Sequence, residues 1–133
     1  MRRLNSILLV DDDSVSNFLN ELLIKEMGVA KELSIAYNGQ EALDNISTHC
    51  IPNGDCPDLI LLDINMPVVN GFGFLRKFNE LEFENKRAIV IVMLSTSSNP
   101  VDREMALDLH VKEYLSKPLT KENLTDVLHK YFD

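Results

Sequence analysis

Five short apolar runs, each followed by a stretch of helical periodicity, set the tightest limit on what this chain can fold into. The runs are Ile7 to Val10, Leu33 to Ala36, Leu59 to Leu62, Ala88 to Leu94 and Tyr114–Leu115. Runs of about this length, apolar on both faces, suit buried parallel strands. Between them lie helical stripes. Val15, Phe18, Leu19, Leu22 and Leu23 recur at spacings of three and four, which makes one face of a first helix apolar and places Phe18 in a core stripe. Ala42, Leu43 and Ile46 follow Asn38–Gly39. Phe74, Leu75, Phe78 and Leu81 follow Asn70–Gly71. Asn99–Pro100 reads as an N-cap and first helical residue ahead of Val101, Met105 and Leu109. Thr120 caps a last helix whose stripe is Leu124, Val127, Leu128, Tyr131 and Phe132, with Leu119 and Leu124 at the positions of a hydrophobic staple.

Strands alternating with helices imply a parallel sheet covered on both faces. Right-handed crossovers leave few topologies, and the expected fold is a doubly wound (βα)5 flavodoxin-like sandwich with a five-stranded parallel sheet of order 2-1-3-4-5. Residues 1–133 are expected to form one domain, with no effector domain. The polar segment Ser47–Pro57, with Pro52-Asn53-Gly54 inside it, reads as a surface insertion.

The formal net charge of −8 disfavours direct binding of nucleic acid, which needs clustered Lys and Arg. Arg2–Arg3 reads as a solvated terminus. An acidic domain better suits a metal cation or a basic protein surface. No apolar run is long enough for a membrane span or signal-peptide core. Cys50 and Cys56 are close enough in sequence for a small-loop disulfide, but the expected compartment is the cytoplasm, where thiols stay reduced. His49, His110 and His129 read as surface residues, and no His-Cys cluster suggests zinc.

Reactive residue types gather after the strands. Asp11 and Asp12 follow the first, Asp63 the third, Ser95 and Thr96 the fourth and Lys117 the fifth. In an open α/β sheet, ligands bind beyond the carboxyl ends of the strands. The order 2-1-3-4-5 would bring three carboxylates, a hydroxyl and an ammonium into one pocket. Mutually repelling carboxylates are relieved by a hard divalent cation, with Mg²⁺ the best match. With the cation in place, Asp63 would attack phosphorus, since aspartyl phosphates are an established form of covalent catalysis. Lys117 and Ser95 would each steady a phosphoryl oxygen. Asp13 reads either as a third acid or as an N-cap, and the cap is favoured.

Four segments together carry a specific resemblance: Ile7 to Asp13, Pro57 to Pro67 with Gly71, Met93 to Ser95, and Tyr114 to Pro118. In order and spacing they resemble the CheY-like receiver family of single-domain response regulators. The resemblance implies that Asp11 and Asp12 are the acidic pair, Asp63 the phosphoacceptor, Ser95 the switch hydroxyl, Lys117 the conserved lysine and Tyr114 the switch aromatic. The backbone carbonyl of Asn65 would complete a site for Mg²⁺ or Mn²⁺. The side chains of Asn65 and Ser97 would tune dephosphorylation, and the Lys117–Pro118 bond would be cis. Such a protein is a phosphoacceptor switch, not an enzyme. Its donor is a histidine kinase or histidine phosphotransfer protein. Its output is a changed surface on the fourth helix, fifth strand and fifth helix, which meets a downstream protein or forms a weak dimer. Departures from the pattern are Thr96 where a smaller residue is usual, His110 and Glu113 where glycines are frequent, and Leu119 in place of Phe.

Overall fold

The apolar runs become strands β1 (Leu4–Val10), β2 (Ala30–Ala36), β3 (Leu59–Leu62), β4 (Val90–Ser95) and β5 (Glu113–Ser116) in the computed structural model, which describes residues 3–133. Met1 and Arg2 lie outside the described residues, so the Arg2–Arg3 pair is represented by Arg3 alone. All strand pairs are parallel and the order is β2-β1-β3-β4-β5, as expected. The helices are α1 (Ser14–Met27), α2 (Gly39–Asn45), α3 (Gly71–Glu80), α4 (Pro100–Asp108) and α5 (Lys121–Phe132). Among the described residues, no helix is long and apolar enough to cross a membrane.

Side chains alternate across a strand, so one strand feeds two cores. Ile7 and Leu9 of β1 pack with Ile24 of α1 and with Leu124, Val127 and Leu128 of α5. Leu8 and Val10 pack on the other face with Ala42 and Ile46, Phe74 and Leu75 of α3, and Ala106 of α4. Each helix starts at a side-chain cap that satisfies a free backbone donor. Asp13 accepts from the Val15 amide, so it serves as the cap of α1. Asn38, Asn70, Asn99 and Thr120 cap the others. Leu119 and Leu124 share one core cluster, as a staple requires. The chain leaves α4 through His110 at φ 74°, a left-handed conformation that suits the glycine expected there better than a side chain.

Two expectations are overturned. Most of the apolar stripe of α1 does not face the core: Val15, Phe18, Leu19 and Leu22 are 64%, 58%, 57% and 48% exposed, and only Leu23 of the stripe packs against the core, partly buried. The helix is rotated so that Asn17, Asn20 and Ile24 face the sheet. A period of 3.6 residues defines a face but not where it points, and here the Asp13 cap and the hydrogen bond from Asn17 to the Asp11 carbonyl set the rotation. Phe18 therefore lies outside the core, whereas Phe74 and Phe78 are buried in it.

The second concerns Ser47–Pro57. Helix α2 runs on through a π-turn (Ile46–Cys50) and a last turn (Ile51–Asn53), and closes at Gly54 with φ 72°. The π-turn keeps Ile46 and Cys50 both buried. Only the residues after Gly54 form a loop. That loop returns the chain to Cys56, which is disulfide-bonded to Cys50 with Cα atoms 4.2 Å apart. The cysteines are thus paired, not reduced, because the helical ending brings together two residues six apart. Opening so short a covalent loop frees little chain entropy. Replacing both cysteines by serine is expected to cost about 2 kcal/mol in urea unfolding of the oxidised protein. Reductant should destabilise the wild type by a similar free energy and leave the double variant unmoved.

Candidate functional site

The carboxyl ends of the strands lie at one edge of the sheet, with β4 and β5 running two residues past β1 and β3. Val10 pairs with Ala36 and Leu62, Leu62 with Met93, and Ser95 with Ser116. Asp11 and Asp63 therefore emerge at one level, and Ser95 and Lys117 stand one to two residues further along the same edge. Asp63 is placed by its amide, which donates to Val10 O at 2.9 Å, and Lys117 by its amide, which donates to Ser95 O at 2.9 Å. The Lys117–Pro118 bond is cis, as the resemblance implied.

Three carboxylates meet there. Asp11, Asp12 and Asp63 each offer an oxygen, and these lie within 4.8 Å of one another. Asp11 is buried, Asp63 partly buried and Asp12 exposed. The Lys117 ammonium reaches in from β5, 2.6 Å from Asp11 Oδ2 and 3.6 Å from Asp63 Oδ2. The other Asp11 oxygen accepts from the Asp13 amide. Burial pushes the Asp63 carboxyl up to about 6, with repulsion from Asp11 and Asp12 adding to the rise and Lys117 opposing it. Burial works against the charge of Lys117, but its hydrogen bond to Asp11 and the nearby Asp63 charge outweigh that and hold the ammonium above its ordinary value.

Glycine brings the loop after β3 close to the site. The Gly71 amide donates to Ile64 O at 2.8 Å. A Cβ at Gly71 would sit 2.3 Å from the Asp63 carbonyl oxygen, which leaves room for no other residue. Gly39 binds the same loop from α2 through Val69 O. Asn65 lies in that loop, exposed, two residues past Asp63.

Ser95 is fully buried at the end of β4. Its hydroxyl oxygen accepts from the Ser97 amide at 3.0 Å. The Tyr114 hydroxyl donates to the Ser97 carbonyl at 2.9 Å, so Tyr114 is tied into this loop and does not merely rest against the sheet. The Ser97 hydroxyl donates to Asp102 of α4 at 2.6 Å. One residue thus links the Ser95 hydroxyl, the Tyr114 ring and α4. Thr96 is exposed beside them.

Every residue expected at the strand ends is found there. Asn17 was not anticipated. Its amide nitrogen donates to the Asp11 carbonyl at 2.8 Å, and it is 3% exposed. The signal that could have found it is the spacing of three from Asn17 to Asn20 and four from Asn20 to Ile24, which puts all three on one face of α1.

The sequence from residue 7 to 129 matches the response regulator receiver domain family. A two-component response regulator of Arabidopsis thaliana is 30% identical over 123 residues, covering 92% of this chain and 81% of that protein. The crystal structure of a two-component response regulator from Cytophaga hutchinsonii superposes with a TM-score of 0.89 at 32% identity, covering 98% of each chain. The receiver domain of a sensor histidine kinase from Pseudomonas aeruginosa, with a magnesium ion coordinated in its active-site cleft, gives a TM-score of 0.78 at 26% identity over 96% of each chain. With a family match over nearly its whole length and an acid pocket at the ends of a 2-1-3-4-5 sheet, this chain belongs to the response regulator receiver domains of two-component systems.

Proposed function

We propose that this domain is a phosphorelay switch in which Asp63 accepts a phosphoryl group from a phosphohistidine, with Mg²⁺ or Mn²⁺ bound. The observation that carries the reading is the crowding of three carboxylates against one ammonium, with Asp63 held near pKa 6. The donor set fits a hard divalent cation: all the side-chain ligands are oxygens, and one positive charge opposes three negative ones. Asp11, Asp12, Asp63 and the Asn65 backbone carbonyl would hold the ion. When bound, it supplies neutralisation of the phosphoryl oxygens.

The chain's own groups do the rest. A carboxylate oxygen of Asp63 attacks phosphorus as the P–N bond of the donor breaks, and the electron pair of that bond stays on the imidazole nitrogen. Lys117, already 3.6 Å from Asp63, places its charge on one phosphoryl oxygen. The Ser95 hydroxyl turns to donate to another. Its oxygen is the acceptor of the Ser97 amide, and Ser97 O is the acceptor of Tyr114, so movement of Ser95 shifts the anchor of the Tyr114 ring. The surface of α4, β5 and α5 then changes, by local charge biasing a two-state element. That surface would engage a downstream protein or a second copy in a weak dimer. The domain would assist its own phosphorylation and dephosphorylation, with Asn65 and Ser97 tuning the latter, and would turn over no free substrate as an enzyme does. A kinase or phosphotransfer protein as donor places it in the cytoplasm, where Cys50–Cys56 would meet a reducing thiol pool.

The exposed apolar face of α1 supports a macromolecular donor. Val15, Phe18, Leu19 and Leu22 form a contiguous apolar patch on the helix that starts at the acid pocket, and such a patch suits a helical protein surface.

Three results are expected. Intact mass after incubation with Mg²⁺ and a small phosphodonor should show one phosphoryl adduct on the wild type, none on Asp63→Asn and none after chelation; an adduct on the variant at an unchanged rate would overturn the assignment of Asp63. A double change, Phe18→Ser with Leu19→Ser, should slow transfer from a phosphohistidine protein about tenfold or more and leave the small-donor rate unchanged. The third concerns pH. Asp63 holds its proton more tightly in the folded chain (about 6) than at its ordinary 3.8. Between those values the unfolded chain has lost the proton and the folded chain has not, so stability falls as pH rises from about 4 to 6. In chelator at pH 7, Asp63→Asn should be more stable than wild type by about 1–2 kcal/mol, the ~3 kcal/mol of the full shift being reduced by solvent screening. The two should converge near pH 4.

A further inference from the structure

Helix α1 presents two amides, Asn17 and Asn20, to the interior and turns Phe18 and Leu19 to solvent. A buried amide is costly unless its hydrogen-bonding groups are met. One end of Asn17 is met: Nδ2 donates to the carbonyl of Asp11 at 2.8 Å. That carbonyl belongs to the peptide joining Asp11 to Asp12, the two acids of the pocket. The other end is not. Asn17 Oδ1 is buried and has no hydrogen-bond partner among the described residues. Asn17 also lines a cavity of about 10 Å³ together with Asn20, Asp11 and Asp63. This is about the volume of one water, and the cavity has polar groups to hold it.

We propose that Asn17 is a positioning residue for the acid pocket: its amide nitrogen fixes the Asp11–Asp12 peptide, and its Oδ1 holds, through one water in the cavity, the Asp63 carboxylate. The proposal rests on the phosphoacceptor reading above. Asn17 touches neither cation nor phosphoryl group. It sets the orientation of the acids that do, in the way outer-shell partners orient metal ligands. It also explains why α1 spends part of its inner face on an amide: the rotation that places Asn17 under Asp11 is the one that exposes the apolar stripe.

The test uses the whole chain and compares wild type with Asn17→Leu, Asn17→Ala and Ile24→Ala. The last removes apolar packing from the same buried face. Mg²⁺ affinity is read by isothermal titration, the Asp11 carbonyl by its ¹³C shift and the cavity by high-resolution diffraction. Both Asn17 variants should weaken Mg²⁺ about tenfold and move the Asp11 resonance. Ile24→Ala, although less stable, should bind Mg²⁺ as wild type does. Asn17 variants with wild-type affinity, or an equal loss in Ile24→Ala, would overturn the proposal. A wild type that neither binds Mg²⁺ nor accepts a phosphoryl group would sink the phosphorelay reading instead. The positioning role would then be decided by the carbonyl shift and by density in the cavity. A water between Asn17 Oδ1 and Asp63 supports it, and a dry cavity refutes it.

Discussion

The Lys117–Asp11 ion pair joins residues 106 positions apart at 2.6 Å, and much of the site depends on it. Three carboxylates cannot share a partly buried pocket without a compensating charge. Each negative charge taken out of water costs free energy, and each neighbour of the same sign adds to that cost. Lys117 is the cation that meets the cluster, and its position needs the sheet: β5 must lie beside β4, β4 beside β3 and β3 beside β1, in the register that brings their carboxyl ends to one edge. A register error of one residue in any of these pairs would turn a site residue to the other face of the sheet. Burial remains the larger influence on Asp63 and holds its carboxyl high in spite of Lys117. Three carboxylates with one ammonium leave the pocket with an excess of negative charge when all are ionised.

The contacts that join the edge of the pocket to β5 and α4 run through backbone as much as side chains. Ser97 receives the Tyr114 hydroxyl on its carbonyl, gives its amide to Ser95 and gives its hydroxyl to Asp102. Three elements, β4, β5 and α4, therefore meet at one loop residue. In the switch proposed above, a displacement of Ser95 would take the acceptor away from the Ser97 amide, so the two residues are expected to move together.

Much of this was legible in the sequence because the fold writes itself in two periodicities. Strands buried on both faces leave apolar runs, and the polar residues that end those runs are the site. Ile7 to Val10 followed by Asp11 is such a junction, and Leu59 to Leu62 followed by Asp63 is another. The Asp13, Asn99 and Thr120 caps were readable for the same local reason. The failures share a different cause. The rotation of α1 is set by the Asp13 cap and by a side-chain hydrogen bond from Asn17 to the Asp11 carbonyl six residues back, which hydrophobic periodicity does not record. The extension of α2 carries Pro52, Asn53 and polar neighbours that resemble a loop, and only the burial of Ile46 and Cys50 against the sheet makes it helical. The pairing of Cys50 with Cys56 follows from that helix end, so it was hidden for the same reason.

Gly71 has no side chain, no charge and no part in the chemistry, but a single methyl group there would collide with the Asp63 carbonyl. In a genetic screen scored by loss of signalling, Gly71 would therefore be indistinguishable from the acids themselves. An inventory of essential positions, taken without a structure, would assign a reactive role to the one residue in the pocket that has nothing to react with. The constraint on that glycine is a matter of clearance, set by the backbone oxygen of the residue that carries the reactive carboxylate.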